Sequence, residues 1–210
     1  GLDGRRRGGR AARELGLDQG RGELVVIVAS DDWFLPEHRK QFADSGSGEK
    51  GIAFTNLVEE RPGLSGEHRT RTYVMDDRCV TTGHNDCMPV IADLLRHRCF
   101  GWTWNKMFSR ATIERLGLRF DESLHYAEDE VFTILYCAHI THITTFSHPT
   151  YHYRFVPGSL LHRKIDPPIW LRTRLKTSRL FERNGYSNEI LYLANRTFFS
   201  RLRREMRHCT

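Results

Sequence analysis

The sequence predicts an α/β protein that ends in a pair of helices, and three observations carry the prediction. Leu24-Val25-Val26-Ile27-Val28 is a nearly continuous apolar block, the pattern of a strand buried on both faces of a parallel sheet. Short β-like runs and helical patterns interleave from there to about residue 155. Beyond, 168–184 and 187–208 read as two helices separated by Asn184-Gly185, a helix stop.

The first 22 residues are rich in Gly and Arg, and only 11–15 among them reads as helical. A strand at 23–29 runs into an acidic turn at Asp31-Asp32, followed by a short helix near 36–44. The segment 44–49, with its Ser and Gly, reads as loop. Strands are expected at 52–57 and 70–75, with a turn or loop at Pro62-Gly63-Leu64-Ser65-Gly66 between them. A helix at 89–97 would turn Val90, Leu94 and Leu95 to the core. Ser109 is placed to cap a helix that ends before Gly117. After an irregular stretch at 120–124, a helix starting near Glu128 would bury Val131, Phe132, Leu135 and Tyr136. Strands follow at 142–146 and 150–155, split by Pro149.

Composition excludes several classes. A chain of 210 residues can bury a real core, as one domain or one domain with a helical appendage. Its 39% hydrophobic and 28% charged residues are ordinary for a soluble protein, no apolar run approaches a membrane span, and the start lacks a signal peptide's apolar centre. A cytoplasmic protein is expected. Its five cysteines are odd in number and widely spaced, suggesting reduced thiols over a disulfide framework or a zinc knuckle. His139, His142, His148 and His152 straddle a helix end and two strands, a poor arrangement for a metal site.

Two acidic constellations carry chemistry. Asp31 and Asp32 sit at the C-terminal end of a strand, where open α/β sheets bind ligands. Their mutual repulsion would be relieved by Mg2+ or Mn2+, which could then hold a diphosphate. The same residues could equally form a turn and cap the following helix. In Tyr126-Ala127-Glu128-Asp129-Glu130, three carboxylates crowd a helix start, where they complement the helix dipole or keep a general base ionised and in place.

These residues occur within an ordered set of blocks. Gly22-Glu23-x-Val25-x-x-x-x-Ser30-Asp31-Asp32-Trp33 comes first, then Trp104-Asn105-Lys106-Met107-Phe108, Arg119-Phe120-Asp121-Glu122 and Glu128-Asp129. Tyr151-His152-Tyr153-Arg154 with Gly158-Ser159 closes the series. The set, running from about residue 8 to 164, resembles family two glycosyltransferases of the GT-A fold. Each block alone is weak, and the conjunction is specific. The resemblance implies a GT-A-like mixed sheet flanked by helices over 1–164, with a C-terminal helical extension at 165–210.

It also implies roles. Asp31 and Asp32 match the acidic pair that holds Mg2+ or Mn2+ against the diphosphate of a nucleotide-sugar donor. Asp129 matches the general base that deprotonates the acceptor hydroxyl, inverting the anomeric configuration, and Glu128 helps shape the acceptor site. Trp102, Trp104, Asn105 and Lys106 fall where the family lines its acceptor pocket, with Lys106 offering a phosphate contact; for both tryptophans, core packing is an equal reading. Arg154 could reach the diphosphate or pair with a surface carboxylate. The acceptor would be a saccharide or lipid-linked molecule of cell-envelope or polysaccharide synthesis.

Departures are visible too. Ala29 stands where the family usually has an acidic residue, and Glu14 where it usually has Asn. The block at Gly8 to Gly16 follows, in the family, an opening β-α-β region that binds the nucleoside; the chain is expected to lack it and so to be a truncated, inactive form or a fragment. Two other classes stay open. One is a non-catalytic interaction or scaffold module built on the same fold. The other is a basic surface binder: the formal charge of +6 concentrates in Arg5, Arg6, Arg7 and Arg10 and in Arg201, Arg203, Arg204 and Arg207. Phe198, Phe199, Leu202 and Met206 lie opposite the latter arginines, a pattern for peripheral contact with a membrane's inner face. Nucleic acid is not favoured, since no RNA-binding or helix-turn-helix signature accompanies the charge.

Overall fold

The computed structural model describes residues 9–45, 48–62, 68–121, 123–124, 126–156 and 166–207. Its sheet is organised on β3 (Gly51–Pro62), whose first half is apolar enough to be covered on both faces: Ile52, Ala53 and Phe54 are all fully buried. On one edge, β6 (Lys106–Ser109) pairs antiparallel with Ile52–Phe54, and β4 (His68–Tyr73) pairs antiparallel with Leu57–Pro62. On the other, β7 (His142–Arg154) runs parallel along nearly the whole strand. Outside β7 lie β2 (Trp33–Phe34) and β5 (Arg78–Val80), and outside β6 lies β1 (Leu24–Val26), all antiparallel to their neighbours. The seven-stranded mixed sheet thus meets the expectation of a mixed sheet flanked by helices.

Helices cover both faces. Ile52, Phe54 and Ile143 pack against Ile91 and Leu94 of α3 (His84–Arg96) and Phe132 of α5 (Glu128–Cys137). On the opposite face, Phe42 of α2 (Glu37–Asp44) meets Ala53 and Met107. Ser109 caps α4 (Arg110–Arg115) by accepting from the Thr112 amide, and Gly117, at φ 59°, turns the chain after it. The α1 helix (Gly9–Gln19) leads into β1, and α6 (Pro167–Arg183) and α7 (Asn188–Arg207) follow β7. Phe181, Tyr186, Ile190 and Leu193 of the C-terminal pair share one apolar core with Ile52 and Phe132. The boundary expected at 164–165 and the loop expected at 62–66 fall mostly outside the described residues. Among those described, no helix is long and apolar enough to cross a membrane. Cys87, Cys99 and Cys137 are buried free thiols, Cys79 is exposed and free, and Cys209 lies outside the described set.

Three expectations need correction. The strand at 23–29 is not buried on both faces: β1 is a short edge strand pairing only with β6, and Leu24, Val26 and Val28 are exposed while Val25 and Ile27 pack on the core. A continuous apolar run hid a half-buried alternation. The helix expected at 89–97 begins five residues earlier, at His84, and carries Pro89 inside it. The strands expected at 142–146 and 150–155 form one strand with a break in register.

That break has a physical knot. Between the pairs Thr55↔Phe146 and Leu57↔Tyr151, β3 advances two residues while β7 advances five. Asn56, fully buried at the gap, gives its Nδ2 hydrogens to Met75 O (3.0 Å) and Ser147 O (2.6 Å) and accepts from Met75 N (2.9 Å). Three backbone groups that the ladder cannot serve are satisfied by one side chain. Replacing Asn56 with Leu orphans all three, so we expect a loss of roughly 2–4 kcal/mol in urea unfolding. A loss below about 0.5 kcal/mol would show that the knot is not structural.

Candidate active site

The acidic turn after β1 is built by β7. The Asp32 amide closes the turn on Ala29 O (3.2 Å), and its carboxylate accepts from the Tyr151 hydroxyl (2.7 Å) and the Arg154 amide (2.9 Å). Burial holds the Asp32 pKa above its ordinary value, and the neighbouring Asp31 charge adds to the rise against those two donors and the Arg154 guanidinium. Asp31 itself is exposed. Arg154 is exposed as well, its guanidinium 5.3 Å from the centre of the Trp33 ring, which stacks on His152. Of its two expected alternatives, a place beside the acidic pair is the one seen.

Two carboxylates can hold a divalent cation when the ligand brings phosphate oxygens of its own. The residues fit that case: Asp31 is open to solvent, and Asp32 is a buried carboxylate whose raised pKa marks a shortage of positive charge. Among the described residues no three His, Cys, Asp or Glu side chains gather to hold an ion alone, and His139, His142, His148 and His152 form no such group.

The second constellation opens α5. Ala127 adopts a left-handed conformation (φ 61°), and the next three carboxylates form the first turn. Arg13 of α1 contacts both Glu128 Oε1 (2.5 Å) and Asp129 Oδ1 (3.2 Å), while Arg174 of α6 takes both oxygens of Glu130 at 3.0 Å. Burial pushes the Asp129 pKa up to about 6; Arg13 and Lys106 pull it down and Glu128 pushes it further up. Asp129 Oδ1 and the neighbouring Thr103 Oγ1 are buried without a hydrogen-bond partner.

Residues 102–106 lie between the two constellations. Trp104 stacks on Tyr151 (4.7 Å) and Trp102 (4.8 Å), and Tyr153 stacks on Trp104 at 5.5 Å. The Tyr151 ring that carries the hydroxyl on Asp32 thus supports the segment whose Thr103 and Lys106 face Asp129. Trp104 is nearly buried, so its stacking is core packing; Trp102 is partly exposed and offers a face.

Lys106 and Asn105 do not present themselves to a ligand. Both are fully buried. The Lys106 ammonium donates to Cys99 O (3.1 Å), Asn105 Oδ1 (2.6 Å) and Trp102 O, which uses all three of its donors. Burial lowers its pKa to about 7. Asn105 Nδ2 adds a second bond to Cys99 O (3.1 Å). The phosphate and pocket contacts expected of these two are replaced by a role in holding the 99–106 loop.

Sequence reasoning missed Arg13, Thr103 and the hydroxyl role of Tyr151. Arg13 sits 115 positions from Glu128 with no local pattern to mark it. For Tyr151 a signal existed: an inward-facing Tyr needs a polar partner, and the acidic turn is the obvious one.

No family model matches the chain. It is 27% identical over 159 residues to the putative glycosyltransferase EpsH of Bacillus subtilis, covering 73% of this chain and 43% of EpsH. It is 24% identical over 170 residues to the uncharacterized glycosyltransferase EpsJ of the same organism, covering 76% and 45%. The chain therefore spans less than half the length of either relative. Its fold is similar to that of S. aureus TarS, residues 1–349 in complex with UDP-GlcNAc, at a TM-score of 0.62 and 20% identity, over 89% of this chain and 52% of that one. A second TarS structure of the same residues aligns at a TM-score of 0.61. Fold and sequence kinship together make this chain a relative of the family-two-like glycosyltransferases, with their GT-A-like fold.

Proposed function

We propose that the chain is the part of an inverting glycosyltransferase that holds a nucleotide sugar's diphosphate and activates the acceptor hydroxyl. The observation that carries the reading is the convergence of a solvent-facing acidic pair and a buried, unpartnered carboxylate on the one segment 102–106. The relatives named glycosyltransferase and the UDP-GlcNAc held by TarS support a nucleotide-sugar donor.

Asp31 and Asp32 would hold Mg2+ or Mn2+ against the diphosphate, and the ion's charge would stabilise the departing nucleoside diphosphate. Arg154 stands beside Asp32 to meet the same phosphates. With a pKa of about 6, Asp129 is largely ionised near neutrality yet basic enough to accept a proton from a hydroxyl as it attacks. An incoming hydroxyl would give Asp129 Oδ1 the donor it lacks. Arg13 and Glu128 keep the carboxylate in place, and the Trp102 face suits stacking on a sugar. One base and no nucleophilic side chain in this arrangement favour single displacement with inversion. The acceptor class in this reading is a saccharide or lipid-linked molecule, in line with the Eps relatives.

Titration calorimetry with UDP should show binding in the presence of Mn2+ that chelator removes, and Asp32→Asn should weaken it by roughly tenfold or more. Binding that ignores both metal and the substitution would contradict the site.

In a transfer-competent form, kcat/KM should fall about tenfold per pH unit below pH 6 as Asp129 protonates, and Asp129→Asn should cut kcat by roughly a hundredfold or more. A flat profile down to pH 4.5 would remove Asp129 as the base.

Stability gives an independent reading. The folded pKa exceeds the model value of 3.8, so the native state binds the proton more tightly and loses stability as pH rises from about 3.8 to 6. Asp129→Asn should therefore be more stable than the parent at pH 7.5, by roughly 1–3 kcal/mol, and equal to it near pH 3. A variant less stable at pH 7.5 would show that the Arg13 pair outweighs the burial cost.

A further inference from the structure

The α6–α7 pair turns an apolar and cationic seam to solvent that the acidic cleft does not use. Arg174 and Ser178 of α6 both bond Asn195 Oδ1 of α7 (3.1 and 2.8 Å), which fixes the register of two helices joined by the turn at 184–187. In that register, Leu171 and Leu175 lie opposite the turn of α7 that carries Arg196 and Phe199, and Arg179 lies opposite Tyr192. The four apolar side chains are 43%, 50%, 50% and 65% exposed, for Leu171, Leu175, Phe199 and Tyr192 in turn. The core-facing sides of the same helices are already filled by Trp170, Phe181, Ile190 and Leu193. Arg172, Arg179 and Arg196 flank the seam, exposed, and form no ion pair among the described residues.

We propose that this seam docks on an anionic lipid surface. Large apolar groups in line, edged by unpaired arginines, match the boundary between lipid headgroups and acyl chains. The charge selects this occupant over a second copy of the chain. The two helices together carry ten basic residues and three acidic ones, so two copies face to face would oppose cation to cation. A nucleic acid would satisfy the arginines and leave Leu171 and Leu175 without purpose. The inference concerns the helix pair and holds whatever ligand the acidic cleft takes. It also shifts membrane contact from Phe198, Leu202 and Met206, whose side chains lie outside the described set, to an observed surface.

The test is flotation of the chain with vesicles of phosphatidylcholine alone and of phosphatidylcholine mixed with phosphatidylglycerol. The expected result is at least about tenfold stronger partition onto the anionic vesicles, weakened by salt. The double variants Leu171→Ser/Leu175→Ser and Arg172→Glu/Arg179→Glu should each lower it by about tenfold or more while keeping the parent's circular dichroism and Tm. The two variants test different halves of the seam, so misfolding of one leaves the other decisive. The proposal is overturned by absence of vesicle binding, by equal binding to neutral vesicles, or by binding that survives the leucine pair, which would assign it to the Arg-rich ends acting on any polyanion. A concentration-dependent dimer lost with the leucine pair, without vesicle binding, would overturn it in favour of self-association.

Discussion

The parity of β7 is the constraint on which the rest of the site depends. Side chains alternate along a strand, so an odd surplus of residues exchanges its faces. Before the break, Phe146 shares a cluster with Ala53 and Phe42; after it, Tyr151 shares one with Leu57 and Trp104. Five residues of β7 against two of β3 make the surplus odd. Without that surplus, Tyr151 would point to the opposite face, and neither its hydroxyl on Asp32 nor its ring beneath Trp104 would exist. The polar cost of the break is met locally, by Asn56 on one side and by Thr55, Thr150 and His38 on the other, where Thr150 Oγ1 lies 2.9 Å from Thr55 Oγ1 and 2.8 Å from His38 Nδ1.

A second theme is charge kept near the core at some expense to stability. The Asp129 carboxyl and the Lys106 ammonium are both shifted toward neutrality by burial, and each partly steadies the other. Glu128 and Glu130 lean on arginines from different elements, so α1 and α6 both grip the start of α5. Such an arrangement is hard to justify by stability alone, because apolar side chains would fill the space more cheaply. It is what a site needs when one carboxylate must be basic, fixed and ready to receive a donor.

Much of this was legible in the residues. The acidic pair after an apolar run, the carboxylates at a helix start, the Ser109 cap, the Gly117 and Gly185 stops and the C-terminal helix pair all stand where local chemistry put them. The failures share a cause: exposure and partnership are tertiary properties. Leu24 to Val28 looked like a central strand because composition cannot tell an edge from a middle. Lys106 looked available because nothing local announces that three acceptors, two of them carbonyls within seven residues, will enclose it. Arg13 was one arginine among many until the fold brought α1 against α5.

The account's central claim is that the acidic turn and the start of α5 are two sides of one ligand cleft, with the cation at the first. Paramagnetic broadening by Mn2+ in the presence of a nucleoside diphosphate, read on assigned backbone amide signals, tests it most directly. The account predicts severe broadening at Asp31, Asp32 and Arg154, with weaker broadening at Thr103 and Asp129. Broadening centred on the histidines of β7 or on Asp76 and Asp77, with Asp31 and Asp32 untouched, would contradict it.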